Sequence, residues 1–94
     1  MIDRARIDNW LWHARFFRSR VLAQAAARSG LVRLNGVRVE KAGHGVRPGD
    51  VLTLPRGPEV LAVRVVAIAS RRGPAKAAKA LYEIVAGRNL DREP

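Results

Sequence analysis

Apolar positions along the chain repeat with two different periods, and the change from one to the other divides the sequence. Ile7, Leu11 and Ala14 recur every three to four residues with Trp10 and Phe17 beside them, which predicts a first helix over Asp8 to Phe17. Arg6, His13 and Arg15 fall away from that stripe, and His13 and His44 are both read as solvent-facing or incidental, with a ligand contact the lesser reading. Ser19 has the chemistry of an N-cap for a second helix reaching about Arg28, with Gly30 as its stop. In that helix Leu22, Ala23, Ala26 and Ala27 form a small apolar face, while Arg20, Gln24 and Arg28 recur every fourth residue along another.

Beyond Gly30 the period falls to two. Val32, Leu34, Val37 and Val39 alternate around Asn35-Gly36, a pair that tolerates the positive φ angles of a type I′ turn, so Leu31 to Glu40 is predicted to be a hairpin. In that register Leu34 faces Val37, Val32 faces Val39, and Arg33 stands opposite Arg38, a like-charge pair that an intervening anion would relieve. Glycines and Pro48 mark a loop over Ala42 to Asp50, followed by a strand at Val51 to Leu54 and a turn at Pro55 to Pro58. A long strand is expected over Glu59 to Ser70, with Arg64 as its interior charge. Gly73-Pro74 opens a last helix packed through Ala77, Ala78, Leu81, Ile84 and Val85 and ended by Gly87, with residues 88–94 frayed. The expectation is one α+β domain over residues 1–94: a two-helix unit on a small, mainly antiparallel sheet, with a C-terminal helix.

Composition adds the partner class. Eighteen basic residues against eight acidic ones give a formal charge of +10, which a compact domain tolerates best when a polyanion neutralises it. Residues 1–47 hold 10 basic and 3 acidic residues and residues 48–94 hold 8 and 5, so the N-terminal half is the expected binding half. Fifteen of the 18 are Arg, whose planar fork suits phosphate and base stacking; a genome rich in Arg codons explains Arg over Lys but not base over acid. With no cysteine, thiol catalysis, disulfides and cysteine-bound zinc are excluded, and two distant histidines make a poor metal site. No uninterrupted apolar run is long enough to span a membrane, and Asp3, Arg4 and Arg6 break up any signal peptide, so a cytoplasmic monomer is expected. Scattered acids and the lack of a nucleophile elbow or nucleotide-binding glycine loop lead to the expectation of no catalysis and no cofactor.

Particular residues then carry a resemblance. Arg6-Ile7-Asp8, Leu11, Ser19-Arg20, Ala23, Gly30, Val32, Asn35-Gly36, Val46 and Pro48-Gly49-Asp50-Val51 follow the order seen in the RNA-binding domain named after ribosomal small-subunit protein S-four. The likeness covers residues 6 to about 54; Ala27 departs from it, where a larger aliphatic residue is usual, which implies shallower helix packing. Trp10-Leu11-Trp12, Ala14-Arg15-Phe16, Arg71-Arg72-Gly73-Pro74-Ala75 and Leu81-Tyr82-Glu83 resemble more narrowly the stand-alone, ribosome-associated heat-shock protein fifteen family. That resemblance implies binding to large-subunit ribosomal RNA, and to transfer RNA on a subunit blocked by a stalled nascent chain, in ribosome rescue or quality control. Relatives carry a long basic C-terminal tail for which these residues have no counterpart, so its contacts are not expected here.

The residues to which the resemblance assigns RNA contact are Arg6, Arg15, Arg18, Ser19, Arg20, Gln24, Arg28, Arg33 and Lys41, and the hairpin register adds Arg38. Phosphate contacts would supply affinity, and RNA shape and unpaired bases the discrimination. Trp10 is assigned to the core, Trp12 is left open, and Asp8 either orients an Arg or favours the helix dipole. Arg71 and Arg72 are expected either at a phosphate beside the last helix or in a solvated loop. Two other readings remain: a helix-turn-helix DNA-binding regulator, and an RNA-binding module acting with a separate RNA-modifying enzyme.

Overall fold

The computed structural model describes residues 3–89; of the stretch 88–94 expected to fray, Arg88 and Asn89 instead pair in a strand with Val60 and Glu59, and residues 90–94 lie outside the described residues. The two-helix unit comes first: strand β1 (Ala5–Arg6), helix α1 (Ile7–His13) and helix α2 (Arg20–Arg28). Next come β2 (Arg33–Leu34), β3 (Val37–Arg38), β4 (Gly45–Val46), β5 (Val51–Arg56) and β6 (Glu59–Val65). A short helix α3 (Ala75–Ala78), one 3₁₀ turn (Lys79–Leu81) and β7 (Tyr82–Asn89) complete the described chain. Five strands form an antiparallel sheet in the order β3-β2-β5-β6-β7, and β1 pairs with β4 alone. The class is α+β, as expected.

Both helices end by identifiable chemistry. Ser19 Oγ accepts the Leu22 N–H at 3.1 Å, capping α2 as its sequence position implied, and Gly30 leaves that helix with φ +82°. In α1 the stop comes four residues before its expected end at Phe17. Arg15 adopts φ +64°, the Phe16 N–H reaches back to the Leu11 carbonyl and the Arg15 N–H to that of Trp12, the pair of bonds of a Schellman motif. No glycine announces that stop. An Arg takes the left-handed position, and its Nε donates to the Gly73 carbonyl at 3.0 Å.

The hairpin has the expected register: Leu34 pairs with Val37 and Arg33 with Arg38, around Asn35 at φ +51° and Gly36 at φ +85°. Asn35 does more than turn the chain. Its side chain accepts the Val51 N–H at 2.9 Å and donates to Asp50, which fastens the hairpin tip to the start of β5. Residues 41–46 then return to the N-terminus, where the Ile7 N–H meets the His44 carbonyl at 2.7 Å and Ala5 pairs with Val46.

Three expectations for the C-terminal half are corrected. Pro55 lies inside β5 opposite Val60 rather than in a turn; β2 pairs only with Leu52 and Thr53, so the missing N–H of Pro55 interrupts no ladder on that side. The last helix closes after Ala78, and residues 82–89, expected to be helical as far as Gly87, form the edge strand β7 against β6. Tyr82, Ile84 and Val85 suit a strand as well as they suit a helix stripe, and β6 offers an open ladder that a helix could not fill. Glu83 lies opposite Arg64 and pairs with it, accounting for the one charge inside β6. Gly87 packs close to Leu61 rather than ending a helix; a Cβ there would stand 3.3 Å from Leu61 Cδ2. The strand expected to run to Ser70 ends at Val65, beyond which the Val66 and Ala67 N–H groups bond the Leu81 carbonyl.

One core joins helices and sheet. Ile7, Trp10, Leu11, Ala23 and Ala27 pack with Val32, Val39, Leu52, Val63 and Val65, all fully or almost fully buried. Ala27, despite its small size, is completely enclosed, and Leu22 points outward instead of joining the small-residue face. Trp10 is buried as expected, and its Nε1 donates to the Ala67 carbonyl at 3.0 Å. Removing so large a side chain costs about 3–5 kcal/mol, which makes Trp10 a main anchor of α1 on the sheet.

The α1 terminus supplies a test. Arg15→Ala keeps the left-handed strain and loses the bond to Gly73, and is expected to destabilise the fold by about 1 kcal/mol. Arg15→Gly loses the same bond but relieves the strain, so urea unfolding should place it closer to the original protein.

Candidate nucleic-acid interface

At the N-terminal end of α1 a carboxylate organises the basic residues. Asp8 is fully buried, and Arg6 grips it with two nitrogens, Nε to Oδ1 at 3.1 Å and Nη2 to Oδ2 at 3.0 Å. The Asn9 N–H adds a bond at 2.8 Å. Burial alone would raise the Asp8 pKa, but the Arg6 fork, the Asn9 amide and the Gln24 side chain outweigh it and hold the group below its ordinary value near 3.8. Arg6 is half-exposed, and the carboxylate raises its own pKa. Gln24 therefore serves the interior of the two-helix unit as well as its surface.

Around this pair the return loop builds a shallow depression of about 490 Å³, lined by Arg6, Arg28, Lys41, Gly43 and His44 with Glu40 as its one acid. Arg28 and Lys41 are exposed, and neither has an ion-pair partner among the described residues. Gly43 leaves room for the Arg6 guanidinium, and Gly45 seats Arg4, a basic residue that the sequence did not single out. Arg6, Arg28 and Lys41 thus border one depression, where Asp8 and Glu40 offset part of their charge.

The other expected contacts are distributed. Arg33 and Arg38 stand opposite one another in register but diverge, Arg33 toward the Gly36 carbonyl at 3.4 Å and Arg38 over the backbone of Gly30. Divergence of this kind relieves the like-charge pair without an anion between them. Arg18 is exposed in the connection between the helices, and Ser19 is held as a cap. Arg20 hydrogen-bonds Asn9 and lies over the Trp12 ring with its guanidinium carbon 5.9 Å from the centroid. Arg15 is tied to Gly73.

Residues distant in sequence complete the far end of α1. Arg72 donates to the Trp12 carbonyl at 3.0 Å and the Phe17 carbonyl at 3.4 Å, and its guanidinium sits 5.4 Å from the Trp12 ring. It neutralises carbonyls at a helix end rather than standing beside the last helix as expected, and Arg71 is exposed. His13 is buried, contrary to its solvent-facing expectation, because the segment after β6 closes over it. Burial lowers its pKa from 6.5, Arg20 and Arg72 lower it further, and the Ala69 backbone opposes them only in part. His44 is exposed, as expected. No group of three or more metal-ligating side chains occurs among the described residues.

The Asp8 pair has a pH signature. Because its folded pKa lies below the ordinary value, its stabilising contribution is complete above that value and is lost as pH falls through the folded pKa. Asp8→Asn is expected to destabilise the fold by roughly 1–3 kcal/mol at neutral pH. The gap to the original protein should narrow in urea unfolding repeated at about pH 3.

Comparison with known proteins identifies the family. The S4 domain family matches residues 5–52, which span β1 to the start of β5. Heat shock protein 15 of Escherichia coli is 42% identical over 78 residues, covering 83% of this chain and 58% of the relative. The homologue from Aeromonas salmonicida is 38% identical over the same coverage, so the chain spans about three fifths of the length of these relatives. A structure described as trimeric heat shock protein 15 of Vibrio cholerae superposes with a TM-score of 0.83 at 34% identity, covering 89% of this chain and 84% of that one. With the half-exposed Arg6 on its buried Asp8, the capped second helix and the hairpin all inside the matched stretch, the chain belongs to the S4 family of RNA-binding domains and, within it, to the heat shock protein 15 group.

Proposed function

We propose that this protein binds structured RNA through the face formed by α1, α2 and the β2–β3 hairpin, that its target is large-subunit ribosomal RNA, and that it acts without catalysis in the cytoplasm. The observation that carries the RNA reading is the convergence of Arg28, Lys41 and the Asp8-oriented Arg6 at one depression, with Arg18, Arg33 and Arg38 exposed on the same two-helix and hairpin elements. Exposed guanidinium and ammonium groups neutralise phosphates, and the fixed Arg6 fork sets their register. A role in rescue of stalled ribosomes, with transfer RNA as a further contact, rests on the resemblance to the heat shock protein 15 group. Among the described residues no helix is long and apolar enough to cross a membrane.

A DNA reader would need α2 to present its polar ridge to base edges. Arg20 is instead engaged with Asn9, so the ridge is not free to meet base edges as a whole. Assembly is a separate question, because the Vibrio cholerae relative is described as a trimer. The monomer is favoured here by the irregular edge strand: Val85 is an extra residue in β7, between the partners of Ala62 and Val63, and such bulges discourage edge-to-edge pairing. Light scattering should therefore give a mass near 10.4 kDa rather than three times that value.

Binding to ribosomal RNA should weaken with salt. Arg28→Ala and Lys41→Ala should each flatten the slope of log affinity against log salt by somewhat under one unit, about 0.7–0.9. Unchanged slopes in folded variants would remove both residues from the interface, and equal affinity for duplex DNA at matched salt would abandon the RNA assignment.

A further inference from the structure

At the opposite end of α1 from Arg6, the segment after β6 folds across the helix terminus and leaves a cleft of about 560 Å³. Ile68, Pro74, Ala77 and Leu81 supply an apolar lining. Ser70 and Arg71, both exposed, also border it, and no residue lining it is acidic. His13 contributes the buried polar group: the residue is 9% exposed, and its enclosed Nδ1 has no hydrogen-bond partner among the described residues. His13 also lines the cleft, and Ser70 beside it adds a hydroxyl, so the cleft offers a ligand hydrogen-bonding groups as well as an apolar wall.

The surroundings narrow the ligand class. Trp12 lies tilted by 42° against the His13 ring, 5.4 Å between centroids, and the guanidiniums of Arg20 and Arg72 flank Trp12. The lining itself, apolar with the exposed Arg71 guanidinium at its border, suits a partner that combines a flat or apolar body, a hydrogen-bonding edge and negative charge. We propose that the cleft receives a single unpaired nucleotide of the bound RNA, its base against the apolar lining with a polar edge at His13 and its phosphate at Arg71. The volume lies within the range of small-ligand pockets, and bases splayed out of RNA helices are what proteins of this kind read. The seven residues of α1 span about 10 Å, so one RNA loop can reach this cleft and the Arg28–Lys41 depression together.

This inference rests on the RNA-binding reading but concerns a second contact, beyond the two-helix and hairpin face. The test uses the full chain, an RNA hairpin with unpaired loop bases and a blunt RNA duplex of equal length. Ala77→Phe fills the cleft from an exposed position, and Ala80→Phe, also exposed but outside the lining, is its control. The expected result is that Ala77→Phe, with native circular dichroism, binds the loop RNA about tenfold more weakly, the scale of one lost base contact. Its binding to the duplex should stay unchanged, and Ala80→Phe should alter neither. Undiminished loop binding by Ala77→Phe, or an equal loss on loop and duplex, would overturn the cleft as a base site. Wild-type protein that binds neither RNA would overturn the RNA reading itself. In that event nitrogen NMR of His13 during titration with adenosine monophosphate decides the cleft separately: a shifted ring resonance supports a nucleotide site, and an unmoved one refutes it.

Discussion

A single negative charge enclosed within the most positive half of the chain sets the geometry of the rest. Asp8 has no contact with solvent, and it is stable there because the Arg6 fork, the Asn9 amide and Gln24 surround it. An unpaired carboxylate in that position would be strongly disfavoured, so the strand before α1 and the middle of α2 are drawn to the same point. Once Arg6 is held there, β1 can pair with β4, and the loop that carries Lys41 comes back against α2. The basic depression is thus a product of one buried acid.

Local chemistry with a strong backbone signature was legible in the sequence. The Asn35-Gly36 turn, the Ser19 cap and the Gly30 stop each act within a few residues, and the cross-strand partners of the hairpin follow from the turn type alone. Failures occurred where a distant segment decided the outcome. Residues 82–89 satisfy both a helix stripe and a strand, and the open ladder of β6 resolves the ambiguity. The end of α1 could not be located because Arg15, not glycine, takes the left-handed position, and the Gly73 carbonyl that holds it lies far along the chain.

The site follows the same division. The family resemblance supplied Arg6 and Lys41 as candidates and fourfold spacing supplied Arg28, and the three side chains border one depression. Spacing could not reveal that Arg20, Arg15 and Arg72 are partly committed to carbonyls or amides of the protein itself, since those partners become neighbours only on folding. His13 was misplaced for a related reason: helical periodicity puts it off the apolar stripe, and its burial comes from a segment almost sixty residues later.

The hydrogen bond from the Trp10 indole to the Ala67 carbonyl has a kinetic meaning as well as a structural one. During synthesis the first helix emerges early, yet the acceptor for its largest side chain is added some fifty-seven residues later. Until then the indole has lost neither its water nor its freedom to search, and closing so long a loop is slow compared with forming a helix or hairpin. The N-terminal half therefore leaves the ribosome with its parts made but its keystone absent, and maturation waits on the arrival of the sixth strand and the residues just after it.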